Sequence, residues 1–178
     1  MKRIFLLIIA LTMALSLFSC TAGENGGKTY TGIYGGEETK LAINGNKATL
    51  STEFFNELSL GEDKKVTATN ISTMTGIITS NENGVIVISF SVKGATAKAQ
   101  IKLSGNGAKD YKEMVLAQID QLEDGPIKTA QLNLINGKTV NMSYGDELWE
   151  TMGPGSDNDI TLVIDEKNGT FTESYDAE

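Results

Sequence analysis

The side chains in this sequence that could carry out catalysis are mostly carboxylates and lysines. The chain of 178 residues holds 23 aspartates and glutamates but no histidine, one cysteine at position 20 and one arginine at position 3. Without histidine there is no imidazole base, no Ser-His-Asp triad and no usual ligand for zinc or copper. Without a second cysteine there is no intrachain disulfide and no cysteine-based metal site. The remaining options are carboxylate pairs, Ser–Lys pairs and oxygen sites for hard cations.

One acidic segment stands out, residues 144–159, which reads YGDELWETMGPGSDND. Its two acidic clusters, at 146–150 and 157–159, could offer oxygen atoms to calcium, but neither fits the spacing of an EF-hand loop. The turn at 165–169 does not fit either, because a lysine occupies a ligand position. No spacing of acids, or of serine and lysine, indicates a catalytic pair. The sequence therefore predicts no catalytic residue, no metal site and no cofactor.

The same segment contains three candidate contact residues. Trp149 is the only tryptophan of the chain, and Tyr144 and Met152 lie close to it in sequence. Aromatic residues and methionine are enriched at contact surfaces, so these three are candidates for contact with a partner or ligand. The alternative is that Trp149 packs onto the core beneath the loop.

The first twenty residues, MKRIFLLIIALTMALSLFSC, combine a basic start with an apolar run over residues 4–17 and end at Cys20. The run is shorter than the roughly 20 apolar residues of a transmembrane helix. The segment resembles the bacterial lipoprotein signal, with a lipobox at residues 17–20. This resemblance implies that residues 1–19 are a signal peptide, that Cys20 carries acyl chains such as palmitate, and that the protein is anchored by lipid on the extracytoplasmic side of the cell membrane or outer membrane. Residues 20–28 are then the acylated cysteine and a flexible tether.

The overall charge makes some partners unfavourable. The chain has a formal charge of −8, and removal of residues 1–19 would take away two basic residues and no acid, leaving −10. Nucleic-acid binding depends on basic side chains, and anionic lipid headgroups attract basic segments. We therefore predict no nucleic-acid partner, and attachment to a membrane only through the lipid anchor.

Strand patterns dominate residues 29–175, which we expect to form one β-rich domain. Asn-Gly pairs at 44–45 and 83–84, each between alternating segments, predict hairpins. A turn at 44–45 would place Leu41 opposite Ala48. Gly76 predicts a bulge or bend. Further strands are predicted at 29–34, 66–69, 71–79, 97–103, 130–134, 140–144, 160–164 and 170–173, with another hairpin at Asn136-Gly137.

One amphipathic helix is predicted over about residues 108–122, where apolar residues recur at offsets of three and four. The apolar positions are Tyr111, Met114, Val115, Ile119 and Leu122. Asn106 is the predicted N-cap, and Gly125-Pro126 is a stop signal beyond the helix. We expect this helix to pack against an open end or face of the sheet.

Eight to ten short strands with one packing helix indicate a mostly β fold, an antiparallel barrel-like domain or sandwich. Residues 30–34, followed by meandering strands, faintly resemble the start of a lipocalin-type barrel, although the Gly-x-Trp motif of that family is absent. The resemblance implies a carrier of small apolar ligands and assigns no binding residues.

Together these features predict a non-enzymatic binding protein or a surface and envelope role, with either a protein partner or a small apolar ligand. A ligand inside the barrel needs a cavity of about 300 Å³ or more. The predicted inward side chains are bulky enough to fill a small barrel, which favours a protein partner; they are Ile86, Ile88, Phe90, Val92, Ile101, Leu103, Leu132 and Leu134. Two alternatives remain: an inhibitor or assembly factor that presents residues 144–159, and a carboxylate-based hydrolase with two inward acids.

Overall fold

The computed structural model describes residues 27–154 and 159–174. The predicted signal peptide, Cys20, most of the tether, Asp157 and Asn158 lie outside the described residues. Within them are nine strands and three helices. The strands are β1 (Lys28–Tyr34), β2 (Glu37–Asn44), β3 (Lys47–Ser59), β4 (Lys65–Glu82), β5 (Val85–Ser89), β6 (Thr96–Ser104), β7 (Val140–Ser143), β8 (Asp159–Asp165) and β9 (Thr170–Glu173). The helices are α1 (Ala108–Asp120), α2 (Pro126–Ile135) and α3 (Glu147–Met152).

Seven of the strands close into a barrel. Their order is β3-β2-β1-β9-β8-β5-β4, and pairing of β4 with β3 completes the ring. All of these pairs are antiparallel except β1 with β9, which is parallel. Closure satisfies the backbone groups that an open sheet leaves at its edges. The prediction of a mostly β, barrel-like domain with eight to ten strands is confirmed.

The barrel interior is filled by side chains that alternate inward along the strands. Each of them is at most 2% exposed; they are Tyr30, Leu41, Leu50, Ile86, Ile88, Leu162 and Phe171. Small barrels are filled in this way because eight or fewer strands enclose little more than side-chain volume.

Strand β4 connects the barrel to a second sheet. Its first half pairs with β6 from Thr67 to Thr75, and its second half pairs with β5 from Ile77 to Glu82. Gly76 lies at this change of partner, and a Cβ atom there would lie 2.5 Å from Cγ2 of Ile88. Glycine therefore permits the close approach of β5. The register irregularity of β4 falls slightly later, between Ile78 and Ser80, and the two strands predicted at 66–79 form one continuous strand.

The second sheet extends the barrel on one side. The C-terminal half of β3, the N-terminal half of β4, β6 and β7 form four neighbouring strands. Helices α1 and α2 contact each other and cover one face of these strands, and α3 packs on α2 and β7. The core is continuous from the barrel to the helical layer, through residues such as Phe90, Ala97, Leu134 and Trp149.

The prediction of a strand at 130–134 and of a hairpin at Asn136-Gly137 is wrong, because these residues belong to and end helix α2. Pro126 occupies the first turn of that helix, where its missing N–H costs nothing. Ala130 and Leu134 are buried, and their spacing of four fits both a strand and a helix. Gly137, with φ of +73°, follows the helix end as glycine commonly does. Leu132 and Leu134 therefore lie in the helical layer and not in the barrel.

The predicted helix at 108–122 is confirmed as α1, but it is one of three helices among the described residues. Its predicted N-cap is wrong: the N-cap is Gly107, without a side-chain cap. Asn106 instead accepts a hydrogen bond from the Lys65 N–H at 2.8 Å and donates to the Asp63 carbonyl at 2.7 Å. Its amide therefore fixes the 60–64 loop against the start of α1.

Both Asn-Gly hairpins form, with one difference in register. Asn83 and Gly84 have φ of +53° and +81°, as a type I′ turn requires. In the first hairpin the two loop residues are Gly45 and Asn46, so Leu41 lies opposite Leu50 and not opposite Ala48. Leu41 and Leu50 still face the same interior, because a shift of two residues preserves the face.

Candidate binding groove

The three candidate contact residues of the 144–159 segment lie together beside the core. Helix α3 begins after Asp146, whose Oδ1 accepts a hydrogen bond from the Trp149 N–H at 2.7 Å. The other oxygen of Asp146 accepts one from the Ser143 N–H, also at 2.7 Å. This cap turns Trp149 into the core, where it is 4% exposed. The indole therefore offers almost no surface to a partner.

Tyr144 and Met152 surround that indole. The Tyr144 ring meets the Trp149 ring edge-on, with ring centroids 6.2 Å apart, an arrangement that aromatic rings prefer. Met152 is half-buried against the core, whereas Tyr144 is 43% exposed. Of the three candidates, Tyr144 presents the most surface.

The acidic turns have structural roles in the described residues. Asp146 caps α3, and Asp165 accepts hydrogen bonds from the N–H groups of Lys167 and Asn168 and from the Asn168 side chain. Bonding to Asn168 is the main cause that lowers the pKa of Asp165. No group of three or more histidine, cysteine, aspartate or glutamate side chains is placed to hold a metal ion within 27–154 and 159–174.

A groove of about 450 Å³ opens between the helical layer and the second sheet. Its floor comes from β3, β4 and β6, and its walls come from α1 and α2. The apolar lining residues are Leu58, Ala68, Ile101, Leu103, Tyr111, Val115, Ile119, Leu134 and Ile135. The polar lining residues are Asn56, Glu57, Asn70 and Gln131.

The groove follows from the way α1 covers the sheet. Tyr111, Val115 and Ile119 form one stripe of α1, and only Ile119 is fully buried. Beneath them the β4 position is the small Ala68, which contributes little volume. The stripe therefore has more apolar surface than the core beneath it covers, and the remainder lines the groove.

Several groove-lining side chains are recognisable in the sequence as buried, but their location differs from the prediction. The sequence predicts Ile101 and Leu103 inside the barrel, whereas they line the groove because β6 lies outside the ring of seven strands. The apolar stripe of α1 was the available signal, since three of its five predicted members line the groove. The others, Met114 and Leu122, are exposed.

A smaller cavity of about 270 Å³ lies at the barrel end where β1 begins. Glu166 closes part of this mouth: its Oε1 lies 2.8 Å from Nζ of Lys28 and accepts a hydrogen bond from the Tyr30 hydroxyl at 3.1 Å. Bonding to Lys28, then to Tyr30, holds the pKa of Glu166 below its ordinary value. The pair is exposed to solvent, so its contribution to stability is small.

Replacing Trp149 with alanine removes the largest side chain of the α3 contact. We expect Trp149→Ala to lower the free energy of unfolding by about 3–5 kcal/mol, since a buried aromatic side chain is lost. Tyr144→Ala should cost about 1 kcal/mol, because that ring is exposed and contributes mainly one aromatic pair. Urea denaturation followed by circular dichroism measures both, and equal small losses would contradict the burial of the indole.

The lowered pKa of Glu166, at the barrel end where β1 begins, gives a pH prediction. A carboxyl group with a lowered folded-state pKa adds stability above its unfolded-state pKa, and this contribution is lost as the pH falls through the folded-state pKa. For Glu166, whose pKa is lowered mainly by Lys28, we expect the carboxyl resonance to titrate below the ordinary glutamate value in an NMR titration. Lys28→Met should move that pKa upward, whereas Lys47→Met, at the same barrel end, should not. A Glu166 pKa insensitive to Lys28→Met would contradict the assigned pairing.

Among the described residues no helix is long and apolar enough to cross a membrane. Comparison of the chain with family models, with curated proteins and with solved structures found no match. The geometry of the groove and the sequence are therefore the observations that bear on the function of this protein.

Proposed function

We propose that this protein is a lipid-anchored, extracytoplasmic binding protein without enzymatic activity, and that it holds a small apolar ligand in the groove between α1, α2 and the second sheet. The observation that carries the proposal is the groove itself. Its volume of about 450 Å³ lies within the range of about 300–1,000 Å³ that small-molecule sites occupy. Its lining is mostly apolar with a few polar groups, as such sites require.

The barrel interior is the less favourable place for a ligand. A lipocalin-type barrel has eight strands and holds its ligand inside. Here the ring has seven strands, and the inward side chains are at most 2% exposed. A ligand there would have to displace packed residues such as Tyr30 and Phe171. A lipocalin-type carrier that holds its ligand inside the barrel is therefore the less favoured alternative to a ligand in the groove.

The polar lining narrows the chemistry of the ligand. Glu57 is the one charged residue among the lining residues described, and the polar groups beside it are amides. A carboxylate on the ligand would lie near Glu57 on a chain with a formal charge of −8, which is unfavourable. We therefore propose a ligand with an apolar body and a hydrogen-bonding group that carries no negative charge.

The end of the domain at which β1 begins lies opposite the groove. Cys20 is eight residues from Lys28, which spans at most about 28 Å of extended chain. Lys28 begins β1 at the barrel end that also holds the 45–46 turn. From Lys47 to Asn56, β3 runs about 30 Å away from that end at 3.3 Å per residue. Under this proposal the tether joins the domain about 30 Å along the strand direction from the part of β3 that lines the groove.

The hydrolase alternative has less support from the described residues. A carboxylate pair for acid–base catalysis needs two environments that separate the two pKa values. Every aspartate and glutamate within 27–154 and 159–174 is at least partly exposed. The burial of Trp149 likewise weakens the alternative that residues 144–159 are presented to a partner through that side chain. We therefore place the activity in binding at the groove.

Filling the groove tests where the ligand binds. We expect the neutral fluorescent probe N-phenyl-1-naphthylamine to bind the wild-type protein saturably, with increased emission. Val115→Trp should weaken this binding at least tenfold, because the indole occupies groove volume. Met114→Trp is the matched control: Met114 directly precedes Val115 in α1, is 45% exposed and is not among the groove-lining residues, so binding should be unchanged. Equal affinity in both variants would place the probe elsewhere and overturn the proposal.

The lipid anchor is tested separately. In cells grown with radioactive palmitate, the wild-type protein should be labelled and recovered in the membrane fraction. Cys20→Ala should be unlabelled, because the acylated thiol is absent. Ser19→Ala is a control that keeps a small residue before Cys20, and its labelling should persist. Unlabelled wild-type protein of full length in the cytosol would contradict the anchor.

A further inference from the structure

The second half of β3 is an open sheet edge. Strand β2 pairs with β3 only as far as Thr52, whereas β4 pairs with β3 along its whole length to Ser59. Among the described residues no strand pairs with the other side of residues 53–59. These seven residues span about 20 Å, so roughly three of them direct backbone N–H and C=O groups outward.

This edge is long and has few of the devices that usually protect a strand edge. Natural edges carry charged side chains, above all lysine, or proline, or are very short; residues 53–59 read EFFNELS, with two glutamates but neither lysine nor proline. Phe55 is 65% exposed on this segment, and Leu58 is exposed too. The opposite edge of the second sheet, β7, has only four residues. A long edge with unpaired backbone groups is a template for pairing with another chain.

The two faces of the edge differ in chemistry. Asn56 and Leu58 line the groove and lie opposite Ala68 and Val66 of β4. Glu53, Phe55 and Glu57 alternate with them and so belong to the other face of the sheet, although Glu57, at the edge, also borders the groove. A strand added here would place every second side chain beside Leu58, and the side chains between them beside Glu53 and Glu57.

Strand β6 shows which alternation of side chains this sheet accepts in a strand that pairs with β4. It pairs with the other side of β4, and its register places Ile101 opposite Asn70 and Lys102 opposite Thr69. Its inward residues are Ala97, Ala99, Ile101 and Leu103, and they alternate with the exposed Lys98 and Lys102. An added strand with the same alternation would present apolar residues at the groove rim and basic residues to the two glutamates of β3.

We propose that the edge at residues 53–59 binds an extended segment of a partner protein by strand addition, and that this segment alternates apolar with basic residues. In this mode the backbone hydrogen bonds supply affinity and the alternate side chains supply specificity. The site is distinct from the ligand site of the groove, although Asn56, Glu57 and Leu58 border both.

A second copy of the chain fits this edge less well than a basic partner. In an antiparallel β3–β3 pair that aligns Phe55 with Phe55, Glu53 lies opposite Glu57 of the other copy at both ends. Like charges directly opposite destabilise a strand pair, and each chain has a formal charge of −8. A partner segment with lysine or arginine at those positions reverses the sign of both contacts.

The test uses a labelled nine-residue peptide of alternating lysine and valine, with both ends blocked, and fluorescence anisotropy. We expect saturable binding, with increased protection of the amides of residues 53–59 in hydrogen exchange. A peptide of the same composition in two blocks should bind at least tenfold more weakly, as should the alternating peptide with every second amide N-methylated. Glu57→Lys should weaken binding at least threefold, whereas Glu82→Lys, with the same charge change at the far end of β4, should have no effect.

Several results would overturn strand addition. The proposal fails if the alternating peptide does not bind, if the block peptide binds equally well, or if Glu82→Lys weakens binding as much as Glu57→Lys. Dimerisation with protection of residues 53–59 in the absence of peptide would make a second copy the occupant. In each of these cases, probe binding that is weakened by Val115→Trp would still support a ligand site in the groove.

Discussion

The structure depends on one uninterrupted strand pair, the thirteen-residue ladder that joins β3 to β4 from Lys47–Ile77 to Ser59–Lys65. Its first half belongs to the barrel and closes the ring. Its second half extends beyond the end of β2 and forms one side of the open second sheet, with β3 at the edge. Because both strands run straight through this boundary, the barrel and the second sheet share one framework and one continuous core.

The rest of the architecture follows from the change of partner along β4. At Gly76 the neighbour of β4 changes from β6 to β5, and a side chain at that position would collide with Ile88. Once β6 lies outside the ring, its apolar face needs another cover, which α1 and α2 supply. Two short helices do not cover a four-stranded face completely, and the uncovered part is the groove.

The distribution of buried volume explains where binding is favoured. The barrel uses large side chains such as Tyr30 and Phe171 and is close-packed, as protein interiors are. The second sheet has the small Ala68 on its helix-facing side, where it lines the groove beneath α1 and contributes little volume. The edge at 53–59 has a different origin: the pairing of β2 with β3 ends at Thr52, whereas β3 continues to Ser59.

Much of the fold was predictable because its signals are local. The Asn-Gly turns, the alternation in β6 and the apolar stripe of α1 each reflect contacts between residues close in sequence. The error at α2 arose because Ala130 and Leu134 satisfy a period of two and a spacing of four equally well, and only the packing against α1 and β6 decides between them. The groove could not be predicted, since it depends on which strands lie inside the ring. The alternation along β6 correctly predicts which face of the strand Ile101 belongs to. It does not predict what that face packs against, because this depends on the position of β6 outside the barrel.

The sequence by itself determined the strand-rich composition, the turns at Asn83-Gly84 and near Gly45, the helix at 108–120 and the absence of histidine chemistry, because each depends on residue type and short-range geometry. Only the tertiary structure decided that Trp149 is buried beside α3, that β4 divides its pairing at Gly76, and that β3 ends as an open edge beside an apolar groove. These features depend on pairings between residues far apart in the chain, such as β1 with β9 and β3 with β4. Hydrophobic periodicity shows which face of a strand is buried, but it does not identify the element that buries it.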